Sequence, residues 1–191
     1  MSTPSYGPQT VGIPPGPPMF PGVLYAPHGY YGTSNIATTN NTAIYVPYVP
    51  LFGHTFTGMF SRVSVVGSTG ALLRMGLFND NGQGAPGQLI VDAGTVSATA
   101  LGLVSVTGLS IPLSNTLLYW LAIGSQGGAA TQPSLPGNDI RMAADLGMVG
   151  PNSSGAIVTQ CWTGTVSAGF VSYPTVSNMT TTSALLVGLI G

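Results

Sequence analysis

Charge is what this chain has least of. Its 191 residues contain no lysine and no glutamate, and 4 % are charged, against roughly 25 % in an ordinary soluble domain. The cations are Arg62, Arg74 and Arg141; the anions are Asp80, Asp92, Asp139 and Asp145. Seven charges spread over a surface of about 8,500 Å² cannot form the usual solvated face. Ser, Thr, Asn, Gln and Gly must replace it. A nearly neutral surface favours association, so much of it is expected to lie against partners or neighbours in an assembly. The net charge of -1 excludes the basic footprint that nucleic acid requires and the basic face of a membrane-surface helix.

Other scarcities exclude other classes. The single cysteine, Cys161, cannot form an intrachain disulfide. It lies beside Trp162 in an apolar run and reads as a small buried hydrophobe. No apolar run reaches the ~18 residues that span a bilayer. Met1 is followed by STPSYG, without the charged and apolar regions of a signal peptide, so synthesis in a cytoplasm with no export is expected. The two histidines are His28 and His54, too few to suggest a triad among so many serines. No G-x-S-x-G elbow is present. Glycoside hydrolysis would need two of the four aspartates about 5–10 Å apart in one cleft. Asp80 and Asp92 flank a turn and read as turn stabilisers. The segment Asp80-Asn81-Gly82-Gln83-Gly84 resembles part of a calcium loop but lacks the closing glutamate. No enzyme, cofactor or metal is therefore expected.

What is abundant is strand and turn signal. From Leu72 to Val96 the chain reads LLRMGLFNDNGQGAPGQLIVDAGTV. Met75 and Leu77 alternate with Arg74, Gly76 and Phe78, the period of a strand. Asn79 to Gly87 concentrates turn residues, Leu89-Ile90-Val91 starts a second strand, and Asp92-Ala93-Gly94 should break it. The run Leu117 to Ile123 is apolar at every position, so a strand there is covered on both faces. Further strand candidates are Ala43 to Val49, with Pro47 marking an edge or bulge, and His54 to Val66, with Phe56, Met59 or Phe60, Val63 and Val65 inward. Short strands are also expected around Val96 to Val106, Leu109 to Leu113, Ala156 to Trp162, Thr165 to Tyr173 and Ser183 to Ile190. Ser125 to Gly137 reads as a long loop, and Ile140 to Met148 as the one weakly helical stretch. The expected fold is all-β: a sandwich or jelly roll of eight to ten short antiparallel strands.

The first 34 residues differ from the rest. Half of the sixteen prolines fall there, which excludes a helix and favours extended polyproline II. The segment also carries Ile13, Met19, Phe20, Val23, Leu24, Tyr25, Tyr30 and Tyr31, more apolar anchors than a solvated linker has. The expected organisation is an extended arm, residues 1–34, that contacts a partner through these side chains, followed by a sandwich domain, residues 35–191. Trp120, inside LLYWLAI, is expected in the core. Trp162, next to Thr163-Gly164, is the candidate for an exposed sugar contact.

The order R-x-G-L-F-x-D-x-G-x-x-P-G-x-L-I-x-D-A-G-x-V from Arg74 to Val96, with one extra residue in the turn, is followed by Tyr119-Trp120-Leu121-Ala122. Together with Tyr30-Tyr31-Gly32 this resembles a β-sandwich module of tailed-bacteriophage structural proteins, of head-decoration, head-fibre or tail-fibre type. The resemblance covers about residues 25–125. It implies a non-enzymatic virion protein that decorates or cements the capsid, forms a homotrimer and is attached to a capsid or other virion protein by its N-terminal arm. The second implied reading is a tail-fibre module that binds host polysaccharide, with Trp162 as its contact.

Overall fold

The computed structural model describes residues 22–27, 32–50, 52–128, 130–138, 149–151, 157–159, 161–179 and 184–191. Among them there is no helix, and every pairing between strands is antiparallel. The all-β fold expected from the sequence is present. Its largest sheet has six strands in the order β13 (Val176–Met179), β12 (Cys161–Thr165), β3 (Thr42–Tyr48), β8 (Tyr119–Gln126), β5 (Leu72–Asp80) and β6 (Pro86–Ser97). Facing it is a four-stranded sheet ordered β1 (Leu24–Tyr25), β15 (Gly188–Ile190), β4 (His54–Val63) and β7 (Gly102–Leu113). A three-stranded sheet of β14 (Ala184–Leu185), β9 (Ser134–Asn138) and β2 (Gly32–Ala37) and a pair of β10 (Val149–Pro151) with β11 (Ile157–Thr159) complete the described elements. Many of these strands have only two or three residues, so they outnumber the eight to ten expected.

The core follows from alternation along the strands. Ile44, Val46 and Tyr48 of β3, Leu73, Met75 and Leu77 of β5, and Leu121 and Ile123 of β8 point to one side of the large sheet. They meet Phe56, Met59 and Val63 of β4, Ile111 and Leu113 of β7, and Leu189 of β15. The other side of the large sheet is also covered. Ala43, Tyr45, Phe78, Trp120 and Ala122 lie under Val166 and Phe170 of the segment that follows β12. Every residue of β8 is consequently buried, as its apolar run from Tyr119 to Ile123 requires.

Several expectations are corrected. The stretch Asp92-Ala93-Gly94 does not end a strand. Met75 pairs with Gly94 and Gly76 with Asp92, so Ala93 is the extra residue of a β-bulge. Gly94 takes φ +85° there, a conformation that glycine adopts without strain. The two strands expected on either side of Gly108 are one long strand, β7, with an irregular register beside Phe56 and Gly58. The loop expected at 125–137 shrinks to 127–133, because β8 runs to Gln126 and β9 starts at Ser134. Val65 is exposed rather than inward. Phe60 points away from the main core and packs with Leu186 and Ile190. Pro47 sits inside the large sheet but beyond the last pairing of β12 with β3, at Tyr45. There β3 is locally an edge, and a missing N–H is tolerated.

The boundary at residue 34 is also corrected. Leu24 and Tyr25 pair with Ile190 and Leu189, and backbone hydrogen bonds join Gly22 N–H to Gly191 O and Gly191 N–H to Val23 O. The Tyr25 ring meets Phe56 edge-on at 5.7 Å. Residues 22–27 and 32–37 thus belong to the sandwich, which starts before residue 35. Ile13, Met19, Phe20, Tyr30 and Tyr31 lie outside the described residues, as does the stretch 140–148 expected to be weakly helical.

Trp120 is fully buried, and the expectation for it follows from that. Trp120→Ala should lower unfolding stability by roughly 3–5 kcal/mol, read from denaturant midpoints. An unchanged midpoint would place the indole outside the core.

Candidate functional site

The turn between β5 and β6 organises one end of the large sheet through side chains that replace backbone partners. Asp80 accepts hydrogen bonds from Gly82 N–H at 2.7 Å, Gly84 N–H at 3.3 Å and Trp120 Nε1–H at 2.9 Å. Asn81 Oδ1 accepts from Gln83 N–H and Ala85 N–H, and Asn79 Oδ1 from Gln88 N–H. These are Asx turns, and they occupy the carboxylate with N–H donors rather than leaving its oxygens facing a cation. Among the described residues no group of three His, Cys, Asp or Glu could hold a metal ion.

Two aromatic residues are tied to this same turn. Trp162 opens onto it from β12, and its Nε1–H donates to Gly84 O at 2.9 Å. The indole is half-buried and packs against the cluster around Trp120. The expected exposed contact at Trp162 is therefore only partly open, and its one donor is already used. Tyr173 was not singled out from the sequence. Its N–H donates to Gly87 O at 3.1 Å, and its side chain is 68 % exposed.

A second cluster holds the segment after β12 against the sheet. Arg74 donates to Asp92 through Nε and Nη2, the latter at 2.8 Å, and through Nη1 to Ala168 O at 2.7 Å. Asp92 also accepts from Gly94 N–H and Phe170 N–H. Gln126, buried on β8, donates to Val166 O and Ser167 O. The clamp positions Phe170 over Gly76, where a Cβ would lie 2.6 Å from its ring, so glycine is required. Phe170 then packs edge-on against Phe78 at 5.5 Å, and Phe78 against Tyr45 at 5.2 Å. Pairs of this geometry each contribute about 0.5–1.5 kcal/mol beyond their buried area. The sequence carried one signal of the clamp, an arginine within a strand flanked by apolar residues, where a carboxylate partner is needed.

The remaining candidates are quiet chemically. Cys161 is fully buried, and burial pushes its thiol up to about 12, leaving no thiolate at neutral pH. His54 stacks edge-on against Phe56 at 5.3 Å. His28, Asp139, Arg141 and Asp145 lie outside the described residues. A cavity of about 180 Å³ between β2, β3 and β12 is lined by Ile36, Ile44, Leu185 and four threonines. Three of those hydroxyls, of Thr38, Thr42 and Thr163, already donate to Pro133 O, Asn40 O and Ala43 O. Comparison of the chain with protein-family models, curated proteins and solved structures returns no match.

The clamp gives the fold a defined acid limit. Burial by itself would raise the Asp92 pKa. The hydrogen bonds from Arg74, Gly94 and Phe170 and the Arg74 charge outweigh it and hold the carboxyl below its ordinary value. A carboxyl depressed in the folded state stabilises fully above its unfolded pKa, about 3.9, and this contribution is lost as pH falls through the folded value. Asp92→Asn should cost roughly 1.5–3 kcal/mol at neutral pH and flatten the acid side of the stability profile. Equal acid sensitivity in parent and variant would assign the acid limit to other groups.

Proposed function

We propose that this chain is a non-enzymatic structural protein of a phage particle, a homotrimeric sandwich that decorates or cements the capsid and is attached through the segment preceding residue 22. The observation that supports this reading best is the use of its few charged groups. Of the four charged residues described, Arg74, Asp80 and Asp92 are spent on internal bonds and only Arg62 is exposed, so the described surface is built mainly of hydroxyl, amide and aliphatic side chains. Such a surface suits packing within an assembly better than binding a charged substrate. Exposed aliphatics support the same reading. Val65 and Val66 lie beside Leu101, in the turn before β7, and Leu103, at the start of β7, because Val63 pairs with Gly102 and Gly67 N–H bonds Ala98 O. A closed ring of three copies would use one such face per subunit.

Attachment by residues 1–21 is supported by their composition and their junction. They have no charged side chain, and they join the sandwich where Gly22 is bonded to Gly191. Removing residues 1–21 should leave the melting temperature unchanged but abolish attachment to particles that lack this protein. Removing residues 1–27 takes away β1 and the Tyr25–Phe56 contact, and should lower the melting temperature as well. Full-length attachment should survive high salt, since apolar burial is not screened. Decoration by the 1–21 deletion, or loss of full-length decoration at high salt, would overturn the arm mechanism.

The second reading, a tail-fibre module for host polysaccharide, is favoured by one observation: aromatic side chains gather at the 79–88 turn.

A further inference from the structure

We infer that the surface around Tyr173 and the 79–88 turn is a binding site for an uncharged saccharide, with Tyr173 as the stacking platform. Tyr173 is the most exposed aromatic residue described, at 68 %. It holds φ +55°, a left-handed conformation in which a bulky side chain is an outlier. Asn41, the other non-glycine residue described with positive φ, is of a type that tolerates it. A glycine at 173 would serve the turn without strain. Strain kept at an exposed position points to a use for the side chain rather than to folding.

The surroundings of Tyr173 fit sugar chemistry. Its N–H is bonded to Gly87 O, which places it beside the exposed Gln88. A Cβ on Gly87 would lie 3.1 Å from the Asn81 backbone, so Asn81 belongs to the same patch. The Asn81 carbonyl is used inside the turn, and the residue is exposed. Gln83 and Gln88 are exposed, and among the described residues their side chains have no hydrogen-bond partner. Amides both donate and accept, as hydroxyl recognition requires. A tyrosine face supplies a rigid, amphipathic area for the C–H face of a sugar ring at little entropic cost. The turn's one carboxylate, Asp80, is held by Trp120 and two backbone N–H groups, so no free charge selects for an ionic ligand. Trp162, bonded to Gly84 O, fixes the far side of the turn. The inference depends on this geometry and not on the location of the chain in a particle.

The test uses the full-length protein with neutral gluco-, galacto- and manno-oligosaccharides and with anionic uronate-containing oligosaccharides, read by saturation-transfer NMR and by tryptophan emission. At about 10 mM sugar a site with a Kd near 1 mM is almost filled. Tyr173→Gly should weaken binding about tenfold or more, and Tyr173→Phe by less than about threefold. The glycine variant should melt no lower than the parent, because it relieves the strain. Absence of binding across the panel, binding only to anionic oligosaccharides, or undiminished binding by Tyr173→Gly would each overturn the proposal. So would a glycine variant whose oligomeric state, seen by sedimentation, changes while its sugar binding does not.

Discussion

The fold depends on a strand that needs cover on both sides. The sequence Tyr119-Trp120-Leu121-Ala122-Ile123 has no polar face, so the large sheet must be sandwiched. One side is met by the four-stranded sheet, with its own alternating apolar residues. The other side is met by an irregular segment that cannot use ladder hydrogen bonds to stay in place. Arg74, Asp92 and Gln126 supply the missing bonds, holding residues 166–170 down so that Val166 and Phe170 can cover Tyr45, Phe78 and Trp120. A single ion pair, shielded and satisfied by further donors, thus serves apolar burial.

Much of this was legible in the sequence, because alternation and unbroken apolar runs report directly on which faces are covered. The pattern set Met75 and Leu77 on one face and Trp120 in the core, and all three are buried; Phe78, on the opposite face with Arg74 and Gly76, is buried too because that face is also covered. The failures have a common cause. Asp92-Ala93-Gly94 and Gly108 look like strand ends, since glycine and aspartate are turn residues, yet antiparallel pairs absorb them as bulges. The Pro-rich start looked separate from the sandwich because proline excludes central strands. Two residues between prolines are enough for the edge strand β1, and composition cannot reveal so short a pairing.

The candidate site was less legible. Trp162 drew attention as a tryptophan next to a turn, but its indole N–H is consumed by Gly84 O. Tyr173 sits in a segment that reads as a strand, and its exposure and positive φ arise from the path of the chain over the large sheet. Nothing in the identity of the residue announces that path. The clue lay in the neighbouring turn, where asparagine, aspartate and glutamine are denser than a simple reversal needs.

The bulges have a consequence for how the molecule behaves in a crowd. Edge strands expose unpaired N–H and C=O groups, and many proteins guard them with lysine or glutamate. This chain has neither residue. Its two outermost long strands, β6 and β7, carry instead the register shifts opposite β5 and β4, and β7 carries Pro112. Bulges increase twist and interrupt the flat ladder that another chain would need as a template. Shape does here what charge does elsewhere, so protection of these edges persists at any ionic strength, even where many copies are packed closely together.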